Sequence, residues 1–279
     1  MKRLAIIAML LTVWSCRDRQ GNPFSTRPAP PPATSAATPW PATEPENPKQ
    51  YVLLVRFRLI TIEVPVGTVS GSEALWSYLD EEKISVERST VLGRNGLRIG
   101  TASRNHWPDI ANILTAMTGR ALEETSGVIL PGAPCPLTLK QAQPIQTIFI
   151  SNEDRTLGGC DYPEGDNVIA LSCSLNQDDP SMIMITGVPQ VRTTQRYLRV
   201  VNEGGRVSME NQPLVYSFGP LIFRLALAGK DVLVIGPGSE SRRPYSLGRH
   251  FLVRQIDGVE FETVLVLIPE AIAQPTHPG

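Results

Sequence analysis

The chain has 279 residues, with 26 basic and 27 acidic side chains and a formal charge of −1. That balance excludes the strong basic field by which proteins gather nucleic acid or anionic lipid. With three histidines and no Cys-x-x-Cys pair, the composition argues against a zinc site, and no cofactor or metal is expected.

Lys2 and Arg3 open the chain, Leu4 to Val13 form an apolar run, and Val13-Trp14-Ser15-Cys16 follows. A membrane-spanning helix needs roughly 20 apolar residues, so a run of about ten has the length of an export-signal core. The basic pair holds its start on the cytoplasmic side. Val13, Ser15 and Cys16 resemble the lipobox of bacterial lipoproteins, with Trp14 where a small side chain is usual. The resemblance implies a signal peptide over residues 1–15, cleavage before Cys16, and diacylglyceryl and palmitate-type chains on Cys16. Each buried methylene contributes about 0.8 kcal/mol, so two or three chains anchor stably in a lipid bilayer. An ordinary secretory signal is the alternative. Arg17, in place of the aspartate that retains lipoproteins at the inner membrane, favours the outer membrane. Cleavage lowers the basic count from 26 to 24 against 27 acids, a balance of −3.

Residues 16–50 form the next segment. Gly21 to Gln50 carries nine prolines among Ala, Ser and Thr. Such a stretch cannot build ladder hydrogen bonds or a core, and reads as a disordered, partly polyproline-II linker. At about 3.1 Å per residue a stiff linker of this length reaches on the order of 100 Å.

Residues 51–125 are expected to form a small β-α-α-β-α module. Tyr51 to Val66 reads as a strand with one wet face, where Arg56 and Arg58 alternate with apolar neighbours. Ser70-Gly-Ser-Glu73 is a capping-box pattern that predicts a helix to about Glu82. A second helix from about Ser85 ends at Asn95-Gly96, Leu97 to Thr101 is a strand, and Pro108 opens a third helix ending before Gly119.

Residues 126–272 read as β-rich, an antiparallel sandwich or open barrel, followed by a disordered tail over 273–279. Residues 125–144, with Pro131, Pro134 and Pro136, form the expected boundary. The predicted strands are Thr147–Ser151, Val168–Leu175, Met182–Thr186, Tyr197–Val201, Leu214–Phe218, Leu221–Leu227, Val232–Ile235, His250–Ile256 and Phe261–Ile268. Asp257-Gly258 between two alternating runs predicts a tight hairpin. The whole chain is therefore of the α+β class.

Chemistry-bearing residues are few. In an oxidising compartment the spacing of Cys160 and Cys173 suggests a disulfide, with Cys135 paired to either, or free thiols, as the alternatives. No Gly-x-Ser-x-Gly elbow accompanies the histidines, so no catalytic residue is assigned. The loop Ile235 to Tyr245, with Arg242 and Arg243, and the adjacent Arg249 and His250 are the candidate ligand-binding residues, suited to an anion.

The strands Asp231 to Gly236 and Phe261 to Ile272 resemble the closing strands of secretin outer-membrane channels, and the preceding α+β module resembles their ring-building domains. Val188-Pro-Gln-Val191 lacks the extended Val-Pro-Gly-Pro-Gly pattern of that family. Anchor, linker and a poor catalytic inventory together suggest a non-catalytic interaction or assembly component of the cell envelope. The expected partners are the bilayer and an envelope protein, not nucleic acid. A small-ligand-binding protein or hydrolase using Arg242, Arg243, Arg249 and His250 is the alternative.

Overall fold

The two longest apolar runs meet in one ladder. β1 (Tyr51–Pro65) pairs antiparallel with β13 (Val259–Pro275) along its full length, from Tyr51↔Pro275 to Pro65↔Phe261. The computed structural model describes residues 51–130, 132–175, 179, 182–203, 206–229 and 231–275, all inside one compact unit. The export signal, Cys16 and the Pro-rich segment lie outside the described residues.

Around this ladder stand β2 (Leu97–Ala102), β3 (Glu124–Ile129), β11 (Val232–Pro237) and β12 (Val253–Ile256). Their order is β2-β11-β13-β1-β3, with β12 pairing β13 beside β11. A second sheet contains β4 (Cys135–Gln143), β7 (Gly165–Leu175), β8 (Met182–Glu203), β9 (Arg206–Ser217) and β10 (Phe223–Ala228). β5 (Gln146–Ser151) and β6 (Leu157–Tyr162) make a separate two-stranded ribbon. All ladders are antiparallel and the sheets stack as a sandwich, with neither closed into a barrel.

Alternation along the first sheet feeds two cores. Val55 and Phe57 of β1, with Leu233, Ile235, Leu265 and Leu267, face the second sheet. Ile60, Ile62 and Val64, with Val232, Val234, Val264 and Val266, face the other way, onto Ile110 and Leu114 of α2 (Trp107–Thr118) and onto Trp76. A strand covered on both sides reads as an unbroken apolar run, which explains Val264 to Ile268. The wet face expected for β1 is real at exposed Arg56 and ends at Ile60, where α2 covers it.

α1 (Val86–Arg94) and α2 match their sequence signals. Ser85 Oγ accepts from Arg88 N at α1, and Gly96 and Gly119 carry the left-handed φ of 79° and 66° that ends each helix. At the β12–β13 hairpin Asp257 and Gly258 both have positive φ, as that turn requires.

Five expectations are corrected. The helix over Ser70–Glu82 is only a 3-10 turn at Trp76–Tyr78. The amides its capping box would have served go elsewhere. Glu262, fully buried on β13, accepts from the backbone N–H groups of Gly67 (3.1 Å), Val69 and Ser70 (3.0 Å), while Glu73 binds Arg98. The strand expected from His250 begins at Val253, because Ser246 caps a short helix α3 (Leu247–Leu252) by accepting from Arg249 N. The strands predicted at 182–186 and 197–201 are one strand, β8, of 22 residues. The expected boundary over 125–144 is mostly occupied by β3 and β4, and pairing of β1 with both β3 and β13 joins strands of both expected modules in one sheet. β13 also continues to Pro275, into the segment expected as a tail, whose residues 276–279 lie outside the described residues.

Removing the carboxylate of Glu262 leaves three amides without their acceptor. Glu262→Gln, which keeps one oxygen, should cost about 1–2 kcal/mol, and Glu262→Ala about 3 kcal/mol or more. Urea midpoints at unchanged m-value are the check, and wild-type stability for both variants would refute the role given to this carboxylate.

Candidate functional site

After β11 the backbone runs across α1. Gly238 N donates to Gly96 O (3.1 Å), and Gly248 N donates to Asn95 O (2.8 Å). A Cβ on Gly248 would collide with the Gly96 carbonyl, so glycine is required where α3 meets the end of α1. Asn95, 1% exposed, locks a third segment to these two. Its Nδ2 donates to Ser151 O and its Oδ1 accepts from Ser151 N, both at 2.8 Å, so the amide pairs with β5 as a strand would. Phe149 N donates to Tyr245 O at 2.8 Å, closing the frame.

Two cavities open between these segments, of about 660 and 270 Å³. Arg94, Ser151, Leu157 and Arg243 line both. In the larger, Arg98 lies 4.6 Å over the Trp76 ring and binds Glu73 and Glu81 through paired hydrogen bonds of 2.7–3.0 Å. The hydrogen bonds from Arg98 hold the Glu73 carboxyl below its ordinary range. The smaller cavity is walled by Phe149, Leu157, Pro244 and Tyr245, with rings 149 and 245 tilted at 5.9 Å.

The four residues singled out in the sequence diverge. Arg242 Nε donates to Ser70 Oγ (3.1 Å) and its guanidinium overlies Gly71. Arg243 pairs with Glu240 and lines both cavities. Arg249 pairs with Glu260 (Nη1 to Oε2, 2.9 Å) on the side of α3 near Lys140. His250 is half-buried, its Nε2 without a hydrogen-bond partner; burial, and then Lys140, hold it below the usual histidine range. Adjacent positions on a 3-10 turn and a helix point different ways, so only Arg243 reaches the groove. Arg94, Asn95, Phe149, Tyr245 and Lys140 carried no recognisable motif. Only the Asn-Gly helix end hinted that Asn95 was special.

Lys140 of β4 enters from the opposite side. Its Nζ donates to Arg249 O (3.2 Å) and Val253 O, capping the carbonyl end of α3 without a carboxylate. Burial, reinforced by Arg249 and Arg254, pushes it down to about 8.

The three later cysteines are free thiols. The expected Cys160–Cys173 bridge is absent, because Cys160 is exposed on the β5–β6 ribbon while Cys173 is buried on β7. Cys173 lies instead near Cys135, whose strand partner is Leu171. Burial pushes the Cys173 thiol up to about 11 and raises Cys135, so neither is an activated nucleophile. Among the described residues no His, Cys, Asp and Glu cluster could hold a metal, and no helix is long and apolar enough to cross a membrane.

A second feature lies away from the groove. Past a bulge between Arg192 and Arg196, β8 and β9 continue as a two-stranded ribbon to Glu203↔Arg206. Among the described residues no third strand pairs with it there. Cross-strand partners share a face, and Val200↔Met209 and Leu198↔Asn211 set the register. Leu198, Val200, Val207 and Met209 therefore form one apolar face, exposed at 69, 61, 68 and 71%. The reverse face carries Tyr197 opposite Gln212, Arg199 opposite Glu210 and Val201 opposite Ser208.

No family model matches the chain, and no curated protein matches it. Two solved structures are weakly similar in shape. The InvG secretin domain β-barrel from the Salmonella SPI-1 injectisome NC-base has a TM-score of 0.19 at 10% identity, covering 83% of this chain and 65% of that one. The outer membrane complex of the Klebsiella pneumoniae type II secretion system, with PulD, PulS and the PulC HR domain, has a TM-score of 0.20 at 8% identity, covering 81% and 39%. This chain thus spans less than two thirds of either. The likeness to secretins expected from the closing strands is present only at this weak level.

Lys140 sets a pH signature. Its folded value of about 8 lies below the 10.5 of an unperturbed lysine. Between those values the unfolded chain holds a proton that the folded chain has released, so stability rises with pH there and falls as pH drops through 8. The slope contributed is up to about 1.4 kcal/mol per pH unit. Lys140→Met should remove it, which urea titrations of both proteins from pH 7.5 to 10.5 would measure. Parallel profiles would contradict neutralisation by burial.

Proposed function

We propose that this chain is an envelope protein, tethered to a membrane through acylated Cys16, that works by assembly rather than catalysis. The β8–β9 ribbon joins it to further copies of itself. The observation that carries this reading is the ribbon's exposed face of Leu198, Val200, Val207 and Met209. Covering each would contribute on the order of 1–2 kcal/mol, more than a protein leaves unused on one contiguous surface.

The occupant must also meet the backbone. Past Thr193 the outer edge of β8 and that of β9 carry unpaired N–H and C=O groups. Hydrocarbon cannot satisfy them, so lipid alone is a poor cover for an open ribbon. A second copy can. The two edges run in opposite directions, so β9 of one copy fits antiparallel beside β8 of the next, placing the four apolar residues of successive copies on one continuous face. Arg199 opposite Glu210 mixes both signs of charge on the reverse face, so stacked copies do not repel. Such an interface is heterologous and adds copies in one direction.

The test is the mass of the full-length chain purified in detergent, by light scattering. The wild type should be oligomeric, and Val200→Asp and Met209→Asp monomeric with unfolding free energies within about 0.5 kcal/mol of wild type. A monomeric wild type at tens of micromolar overturns the assembly reading.

The tether has its own test. Cys16→Ser should move the chain from the membrane pellet to the soluble fraction, and intact mass should show acyl chains on the wild type alone. An unmodified Cys16 in native material overturns the anchor and leaves the ribbon reading untouched.

A further inference from the structure

We infer that the groove between α1, β5 and the loop Gly238–Ser246 is a binding site for a monoanionic carboxylate bearing a flat or bulky apolar group, as presented by the C-terminal residue of an apolar peptide or by a free aromatic amino acid. This goes beyond the assembly role and does not depend on it.

The pairing of charges points to the anion. Six charged side chains line the larger cavity. Glu73 and Glu81 share Arg98, and Glu240 takes Arg243, so four of the five other than Arg94 are held by direct hydrogen bonds or ion pairs and the fifth, Arg98, by two of them. Arg94 has no such partner, and its Nε is shut off from solvent without a hydrogen bond. Asp154 is an exposed acid whose field reaches it without a hydrogen bond between the two; that carboxylate accepts from Thr156 N (2.9 Å) and Oγ1 (2.6 Å). The six charges sum to zero, yet Arg94 is the guanidinium among them left without a direct partner, and its fork matches the two oxygens of one carboxylate. A phosphate dianion would bring a charge that the acid-lined larger cavity opposes.

Shape and strain select the rest. Arg94 stands where the two cavities join, so an anion on it can extend into the smaller one, onto Phe149, Leu157, Pro244 and Tyr245. The 270 Å³ of that chamber suits one large side chain. Tyr245 holds φ at +66°, a conformation that a bulky residue rarely adopts and that glycine would adopt freely. Its ring nevertheless stays 55% exposed at the chamber mouth. Beyond its edge against Phe149 the ring is left open, and a ligand ring or aliphatic group would stack on it. Ser89, Thr90 and Ser239 line the larger chamber, where the amides of a longer peptide would lie. Asn95 and the Gly96–Gly248 crossing hold the walls in place, so the site is preformed.

The test is calorimetric titration of the full-length chain with three probes: acetyl-Ala-Ala-Phe as the free acid, the same peptide as its C-terminal amide, and free phenylalanine. The acid should bind about tenfold or more tightly than the amide, and Arg94→Gln should abolish that difference while leaving the amide unchanged. Tyr245→Gly should keep or raise the melting temperature, by relieving the backbone, while weakening the acid about fivefold or more. Free phenylalanine binding as well as the peptide supports an amino acid as the occupant, and weaker binding supports a chain end. Equal affinity for acid and amide, no binding of any probe at millimolar concentration, or an Arg94→Gln variant that still prefers the acid would each overturn the site. None of these outcomes bears on the oligomeric state.

Discussion

The ladder between β1 and β13 is the constraint on which the remainder rests. It brings residues 51 and 275 side by side, so that everything between them is folded as one long excursion from a single pair of strands. Because side chains alternate along both strands, the ladder also divides the interior into two cores, one under α2 and one against the second sheet. A register slip of one residue would exchange the two sets, sending Val264 and Val266 towards the second sheet and Leu265 and Leu267 towards α2. Glu262 pins that register from within, since its carboxylate reaches the amides of the turn that follows β1.

The groove follows from a second constraint, the close passage of two backbones at Gly96 and Gly248. Once those chains touch, Asn95 is buried beside Ser151 and its amide completes a ladder that no strand could enter. Arg94, the neighbouring residue, is then carried to the rim of a cavity already supplied with paired charges. The site is thus a by-product of packing, built from three segments distant in sequence. Its rigidity suits recognition better than chemistry, and the raised thiols and lowered histidine, which lie outside it, are dictated by burial.

The ribbon obeys a different logic. Inside the sandwich, β8 is paired on both sides and its inward-facing Ile183, Ile185 and Val191 are buried. Beyond Thr193 the same strand outruns its neighbours yet keeps an alternating apolar pattern, a pattern that stabilises only if something covers it. Groove and ribbon are separate devices on one scaffold: the first chooses a small charged group, the second offers backbone edges and apolar surface together. The proposed membrane tether would concentrate copies in a plane, where edge-to-edge pairing requires far less affinity than in solution.

The sequence by itself determined the local elements whose signals are short-range. The Ser85 cap, the left-handed Gly96 and Gly119, Pro108 in the first turn of α2 and the Asp257-Gly258 hairpin each depend on backbone dihedrals that neighbouring residues impose. It also determined that the fold is β-rich and that the catalytic inventory is poor. Tertiary structure decided the rest, because long-range partners can outbid local ones. The capping box at Ser70 lost its first amide to a glutamate almost two hundred residues away, and a proline-marked junction became two strands once β1 and β7 offered edges to pair. It likewise decided that Arg243 and Arg94 share a cavity while Arg242, Arg249 and His250 do not, for the direction of a side chain depends on how its element packs and not on its place in the chain.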